Sequence, residues 1–469
     1  MLVALAWLVL PGMTSGVDAP VAGGSERPVA GASAQQEPES SPGDLVLPLV
    51  AAVAAVAVAG YGYVRRTRRL RTRTTPGGEP LPAQGRPPLG ELDARARGLL
   101  VDADDWVRTS REELSFAEAR AGAEAVAPFA QALRDAEGEL ASAFRMRQRF
   151  DDGVPDDDTR RQQALAGIVG RCEEAGRRLD AEAAGFDQLR GLEGDVGGAL
   201  EVAEARFREL TARTGSADAT LTDLGKRYGP AAVADVSGYV EQAKDRLVFA
   251  TSRLNEARQG ADLGETERAI RNLRTAEGAV AQAAVFVDSV ERLAEELASA
   301  AGLVSAALTG GEAEIAGARE RAAGSPGGQA DVRISHADRV LADVREEVTG
   351  GPYDPMEALR RIVRGVLPVA DGRAGVLSAA AALMARSSTG AAHDHITTHR
   401  GAVGSAPRTR LAEAERLLAA RPGLTDLLTA DALARRARDL AEQDARTHGR
   451  PLAATAASFG GPRTRTRRQ

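Results

Sequence analysis

The chain has 469 residues, of which 43% are hydrophobic and only 3% aromatic, so its apolar content is mostly Ala, Leu and Val. Such side chains fill narrow helix–helix seams and do not build a wide globular core. The net charge of −6 is unevenly spread: an acidic body argues against nucleic acid as a partner, and the single cysteine, Cys172, excludes an intrachain disulfide and fits a reducing compartment.

Residues 1–34 open on the apolar run "LVALAWLVL" (Leu2 to Leu10). It has the length of a signal-peptide core, with Ala32-Ser33-Ala34 as the candidate cleavage site. No Lys or Arg precedes the run, so a plain apolar N-terminus is the alternative. Residues 35–44 continue a Pro-, Gly- and Ser-rich stretch that reads as an extracytoplasmic linker.

Residues 45–64, "LVLPLVAAVAAVAVAGYGYV", carry no charge. As a helix they would span about 30 Å, the thickness of a bilayer's hydrocarbon core. Tyr61 and Tyr63 sit where an interfacial aromatic belt belongs, and Arg65, Arg66, Arg68, Arg69, Arg71 and Arg73 follow at once. The expectation is a single-pass transmembrane helix, N-terminus out and C-terminus in, with the arginines facing anionic lipid on the cytoplasmic side.

Residues 65–90 combine this basic stop with a Pro/Gly linker. Residues 91–448 then read as helix throughout, with no convincing alternating strand. Leu92, Ala96, Leu99, Ala103 and Trp106 line one helical face. A second helix begins near Pro128 and stops before "GVPDDD", and a third starts on those acids, where the helix dipole favours them. Val236, Val240, Ala243, Leu247, Ala250, Leu254 and Ala257 form one 4/3 apolar stripe; a longer one runs from Ala269 through Leu273, Ala276, Val280, Ala283 and Val287 to Leu308. The polar turn "RQGADLGET" between them predicts an antiparallel hairpin with Ala-rich seams. "ERAIRNL" and "MEALRRI" echo each other, and "DALARRA" does so less well, an echo that tetratricopeptide-like repeats or plain compositional similarity would both produce. Residues 449–469 read as a disordered basic tail ending in "RTRTRRQ".

The fold class expected is all-α: one transmembrane helix followed by elongated antiparallel hairpins in a coiled-coil bundle. Chemistry-bearing motifs are scarce. "HDHITTH" places His393, Asp394, His395 and His399 close in sequence, but only His395 and His399 share a helical face, and a polar helix end is the simpler reading. Phosphate-binding glycine loops, nucleophile elbows and CxxC pairs are missing, and Cys172 reads as a small buried apolar group. No catalytic, cofactor-binding or metal-binding residue is assigned, and no cofactor is expected.

The order of parts resembles the actinobacterial TPM-domain proteins, on "RRLRTRTTPGG", "ELDARARGLLVDADDWVRTSREELSFAEA", "AFRMRQRFDD", "VEQAKDRLVFATSRLNEARQ", "GPYDPMEALRRIV" and "THRGAVGS". That resemblance covers 45–469 and implies a signal peptide, an extracytoplasmic TPM domain, one membrane helix and a long cytoplasmic helical region. The stretch from Pro11 to Asp44 is too short for a TPM domain, so the domain reads as missing and no phosphatase-like or calcium-binding activity carries over. The function expected is a membrane-anchored helical scaffold or adaptor for unknown protein partners at the cytoplasmic face of the cell membrane, with homo-oligomerisation open and nucleic acid not expected. The alternatives are an envelope-stress adaptor that senses anionic lipid through Arg65–Arg73 and Arg463–Arg468, and a metal-dependent enzyme or sensor using His393–His399.

Overall fold

The computed structural model describes residues 87–323, 328–372, 374–448 and 458–468. All belong to one unit, Arg86–Gln469. Every regular element among them is helical, so the fold is all-α as expected. The predicted signal peptide, linker, membrane helix 45–64 and arginines 65–73 lie outside the described residues. Among the described residues no helix is long and apolar enough to cross a membrane. The predicted membrane helix is thus not found among the described residues, and the membrane-anchored architecture is not carried forward.

The first three helices are α1 (Leu89–Ala121), α2 (Ala123–Asp151) and α3 (Asp158–Arg190). Gly122, at φ 84°, is the whole turn between α1 and α2. Helix α2 therefore begins five residues before Pro128, which lies inside it and not at its start. Asp157 caps α3 by accepting from the Arg160 backbone N–H at 2.8 Å. Cross-helix pairs fix the topology. Arg111–Glu137 and Arg147–Asp93 run antiparallel, as do Arg171–Glu139 and Arg178–Asp135, whereas Arg95–Glu173 joins α1 and α3 in parallel. The result is an up-down-up bundle around Leu100, Leu133, Leu140, Leu165, Ile168 and Leu179.

The pattern repeats with α4 (Val196–Tyr228), α5 (Tyr239–Asp262) and α6 (Thr266–Ala322). Arg258–Glu204 and Lys244–Asp218 pair α5 antiparallel to α4, and Arg213–Glu291 pairs α6 parallel to it. The two apolar stripes predicted for α5 and α6 are the seam itself: Ala243, Ala250, Ala257, Ala269, Ala276 and Ala283 are fully buried. Alanines let the backbones approach closely, and at the tight end Gly260 faces the Ala269 backbone, which a Cβ would crowd at 3.1 Å.

Helix α6 has 57 residues, about 85 Å of helix, and outlasts its bundle. Its C-terminal half is covered by α7 (Gln329–Gly350), α8 (Pro355–Val366) and α9 (Gly375–Thr398), and α10 (Ser405–Ala419) and α11 (Leu424–His448) close this array around Leu341, Leu359, Ile362 and Met384. Asp354 caps α8 through the Met356 and Glu357 N–H groups. Glu314 of α6, itself buried, accepts from the Asp371 and Ala374 N–H groups and fixes the entry to α9. The echoing segments begin or occupy helices of 57, 12 and 25 residues, which form no repeated unit.

The tail departs from the disordered expectation. Residues 449–457 lie outside the described residues, but Ser458 to Arg468 ends in a short helix, α12 (Pro462–Arg468), packed on α3. Phe459 is fully buried among Phe129 and Phe186, an aromatic anchor that a reading weighted by the arginines overlooks.

Because the α5–α6 seam has no spare width, Ala283→Leu should overpack it and cost about 1–3 kcal/mol. The check is a lowered midpoint of urea unfolding; an unchanged midpoint would mean the seam is loose.

Candidate functional site

The His393–His399 segment ends α9 and faces α1, α6 and α10. Its side chains are engaged separately. His393 Nε2 accepts from Arg108 Nη1 at 3.3 Å, and since Arg only donates, Nδ1–H is left to face Glu415 at 3.1 Å. Asp394 takes Ser289 Oγ at 2.8 Å and pairs with Arg292. His395 stacks on His399 with centroids 4.3 Å apart. Burial first, and then His399, pushes the His395 imidazole down to about 3, so it stays neutral. No group of three or more potential metal ligands converges among the described residues. Cys172 is buried, and that burial pushes its thiol up to about 12, far from a reactive thiolate.

The chemistry of this region is a clamp. The turn after α9 and the start of α10 return to α1, where Arg408 is almost wholly buried. Its guanidinium donates to Asp104 at 2.6 Å, Asp105 at 2.7 Å, the Arg400 carbonyl at 2.6 Å and the Val403 carbonyl at 3.2 Å. Arg108 holds the same Asp104 oxygen at 2.9 Å, and Arg400 reaches Glu112 at 2.7 Å. Burial alone would push the Asp104 carboxyl up, but Arg108 and Arg408 outweigh it and hold the group below the usual carboxylate range.

A second buried cluster joins the two bundles. Arg190, at the end of α3, donates to both oxygens of Glu277 on α6 at 2.9 and 2.6 Å. Glu113 of α1 lies 3.7 Å from the same guanidinium, and its Oε2 accepts no hydrogen bond from the described residues. Arg190 thus faces both carboxylates, and Arg274 of α6 adds a second positive charge near Glu113. Burial, followed by repulsion from Glu277, pushes the Glu113 carboxyl up to about 7. A third cluster lies in the C-terminal array, where fully buried Asp431 receives Ser388 at 2.6 Å and Arg364 at 3.0 Å.

Sequence reasoning assigns a role to none of these residues. Arg190 nevertheless continues the buried rhythm Leu179, Ala183, Phe186 on α3, and a charge on an apolar stripe is the signal that finds it. The predicted interfacial arginines 65–73 lie outside the described residues. Of the basic tail, Arg463 and Thr464 give their backbone N–H groups to Asp180, so this segment is engaged within the protein.

No family model matches the chain. Two curated UPF0603 proteins, from the CDC 1551 / Oshkosh and H37Rv strains of Mycobacterium tuberculosis, are each 29% identical to it over 369 residues. The matches cover 71% of this chain and 53% of each relative, so the chain spans about half the length of the curated relatives it matches. No solved structure matches. The resemblance to TPM-domain proteins is corrected by these comparisons, because no model of such a domain is matched and the relatives carry only the UPF0603 designation.

Removing Arg408 should strand Asp104 in a dry site. We expect Arg408→Met to cost about 3–5 kcal/mol, read as a lower urea midpoint together with lost amide protection in α10. The Glu113 proton predicts a distinct pH dependence. A carboxyl raised in the folded state binds its proton more tightly there than in the unfolded chain, so its contribution is present below pH 4.5 and is lost as pH rises through about 7. The loss is on the order of 3 kcal/mol. Glu113→Gln should therefore gain stability over the native chain at pH 8 but not at pH 5, and an equal difference at both pH values would sink the assignment.

Proposed function

We propose that this chain is a helical scaffold that holds protein partners at fixed spacing. The observation that carries the reading is α6, a single uninterrupted helix shared by the second bundle and the C-terminal array. A shared helix transmits position without a hinge, because bending it would break backbone hydrogen bonds in mid-span. Two features support the same reading. Buried guanidinium clusters fix the seams at Arg190 and Arg408. The outward faces of these helices carry arginine–carboxylate pairs such as Arg213 with Asp288 and Arg345 with Glu312, polar surface suited to the rim of an interface.

Cross-linking mass spectrometry on the tagged full chain, expressed in its native cells, tests this. The expected outcome is at least one protein in stoichiometric yield, cross-linked to positions on both sides of the middle of α6. A chain recovered alone and free of inter-protein cross-links at native abundance would refute the scaffold reading.

A further inference from the structure

Residues 458–466 sit in a groove between α1 and α3, and each position is recognised differently. Phe459 is fully buried, stacked on Phe186 with centroids 4.5 Å apart and edge-on to Phe129. Gly460 has φ 137°, which side chains rarely adopt, and its N–H donates to Ser110 Oγ at 3.2 Å. Gly461 lies so close to Gly176 of α3 that a Cβ would collide with the Gly176 carbonyl, and Pro462 fills the space over Gly176 beside Trp106. Asp180 collects the N–H groups of Gly461, Arg463 and Thr464 at 2.9 to 3.1 Å, and the Thr464 hydroxyl at 2.7 Å.

This is how proteins read a short peptide: main-chain donors give affinity, and one anchored side chain with close-approach glycines gives specificity. Beneath the segment the helices of the first bundle also contact one another directly. Phe129 and Phe186 already touch edge to face at 5.4 Å, and Leu100, Leu165, Ile168 and Leu179 are fully buried between the three helices. We infer that the α1–α3 groove is a binding site for peptides of the pattern Phe-Gly-Gly-Pro-x-Thr, and that the chain's own residues 458–466 are its tethered, exchangeable occupant. The inference stands on the groove, and the scaffold reading neither requires nor supplies it.

The tether sets the numbers. A segment covalently joined to the protein that carries its groove competes at an effective concentration on the order of 1 mM. Against a free-peptide Kd on the order of 10 µM, it weakens binding of an outside peptide by about 100-fold. The test places a protease site between residues 449 and 457 of the full chain, so that the protein folds with its tail in place and is cut afterwards. Fluorescein-labelled peptide of residues 458–469 is then titrated by anisotropy into cut and uncut protein, with circular dichroism recorded on both. The inference predicts micromolar binding to the cut protein after dilution and removal of the released tail. It also predicts binding about 100-fold weaker to the uncut chain, and a loss of about 100-fold or more for a peptide carrying Phe459→Ala. A full-length Phe459→Ala chain, its groove opened without cutting, should bind the native peptide like the cut protein, and Asp180→Ala should weaken that binding while helicity is unchanged. If the cut protein keeps its helicity but takes up no peptide, or if cutting unfolds the first bundle, the segment is part of the core and the inference is wrong. Uptake that depends on the tail of a second copy, seen as cut-independent dimers by mass photometry, would overturn the tethered occupant as well.

Discussion

Buried guanidiniums hold this fold in register. Alanine seams bury little area per residue, so apolar contact alone fixes the sliding of one helix on another only weakly. Arg190 and Arg408 supply what the alanines lack. Each is almost wholly buried, and each bridges helices far apart in sequence, Arg190 joining α3 to α6 and Arg408 joining α10 to α1. A planar group with five donors satisfies several acceptors only in one arrangement. The hydrogen bonds of Arg408 to two carboxylates and three backbone carbonyls therefore specify position as well as stability.

The clusters differ in how well they are balanced. Arg408 and Arg108 give Asp104 two positive neighbours, and its carboxyl stays ionised in spite of burial. Arg190 gives its hydrogen bonds to Glu277, and Glu113 is left with the poorer contact. The neutral His395 imidazole has the opposite linkage. Its proton is bound less tightly in the folded chain, so its contribution is present above about pH 6.5 and falls away as pH drops toward about 3. Between pH 4.5 and 6.5 the two groups work against each other. In that window their contributions to the pH dependence of stability oppose each other, and removal of either takes one slope away.

How much of this was legible follows from the physics of each signal. The α5–α6 hairpin could be read residue by residue, because a 4/3 apolar rhythm has no other use than a helix seam and the turn "RQGADLGET" marks where it reverses. Helix starts at Asp157 and Asp354 carried their own capping chemistry. The start of α2 did not, because Gly122 alone makes the turn and Pro128 is a louder signal than the residue that matters. The charged clusters were hidden for a different reason. Glu113, Glu277 and Asp104 look like any solvated carboxylate until the third helix arrives to cover them, and which helix covers which is a long-range fact. The tail was misjudged because five arginines dominate its composition while one phenylalanine decides its fate.

The C-terminal part of the chain meets the N-terminal bundle chiefly through Arg400 and Arg408, which reach α1, and through Phe459 in the α1–α3 groove. These contacts differ in kind. The arginine clamp is an ion network whose removal leaves an uncompensated buried charge, so it behaves as all or none. The phenylalanine contact is an apolar plug with main-chain hydrogen bonds, and the carboxylate it engages, Asp180, is only partly buried, so water can replace the segment's donors when it leaves the groove. A chain that needed only to close on itself would gain little from the second contact after the first. The combination makes sense if the clamp keeps the C-terminal array on the bundle permanently and so keeps the tail near its groove. Occupancy of that groove is then set by the tether and by whatever competes for it, while the fold beneath stays unchanged.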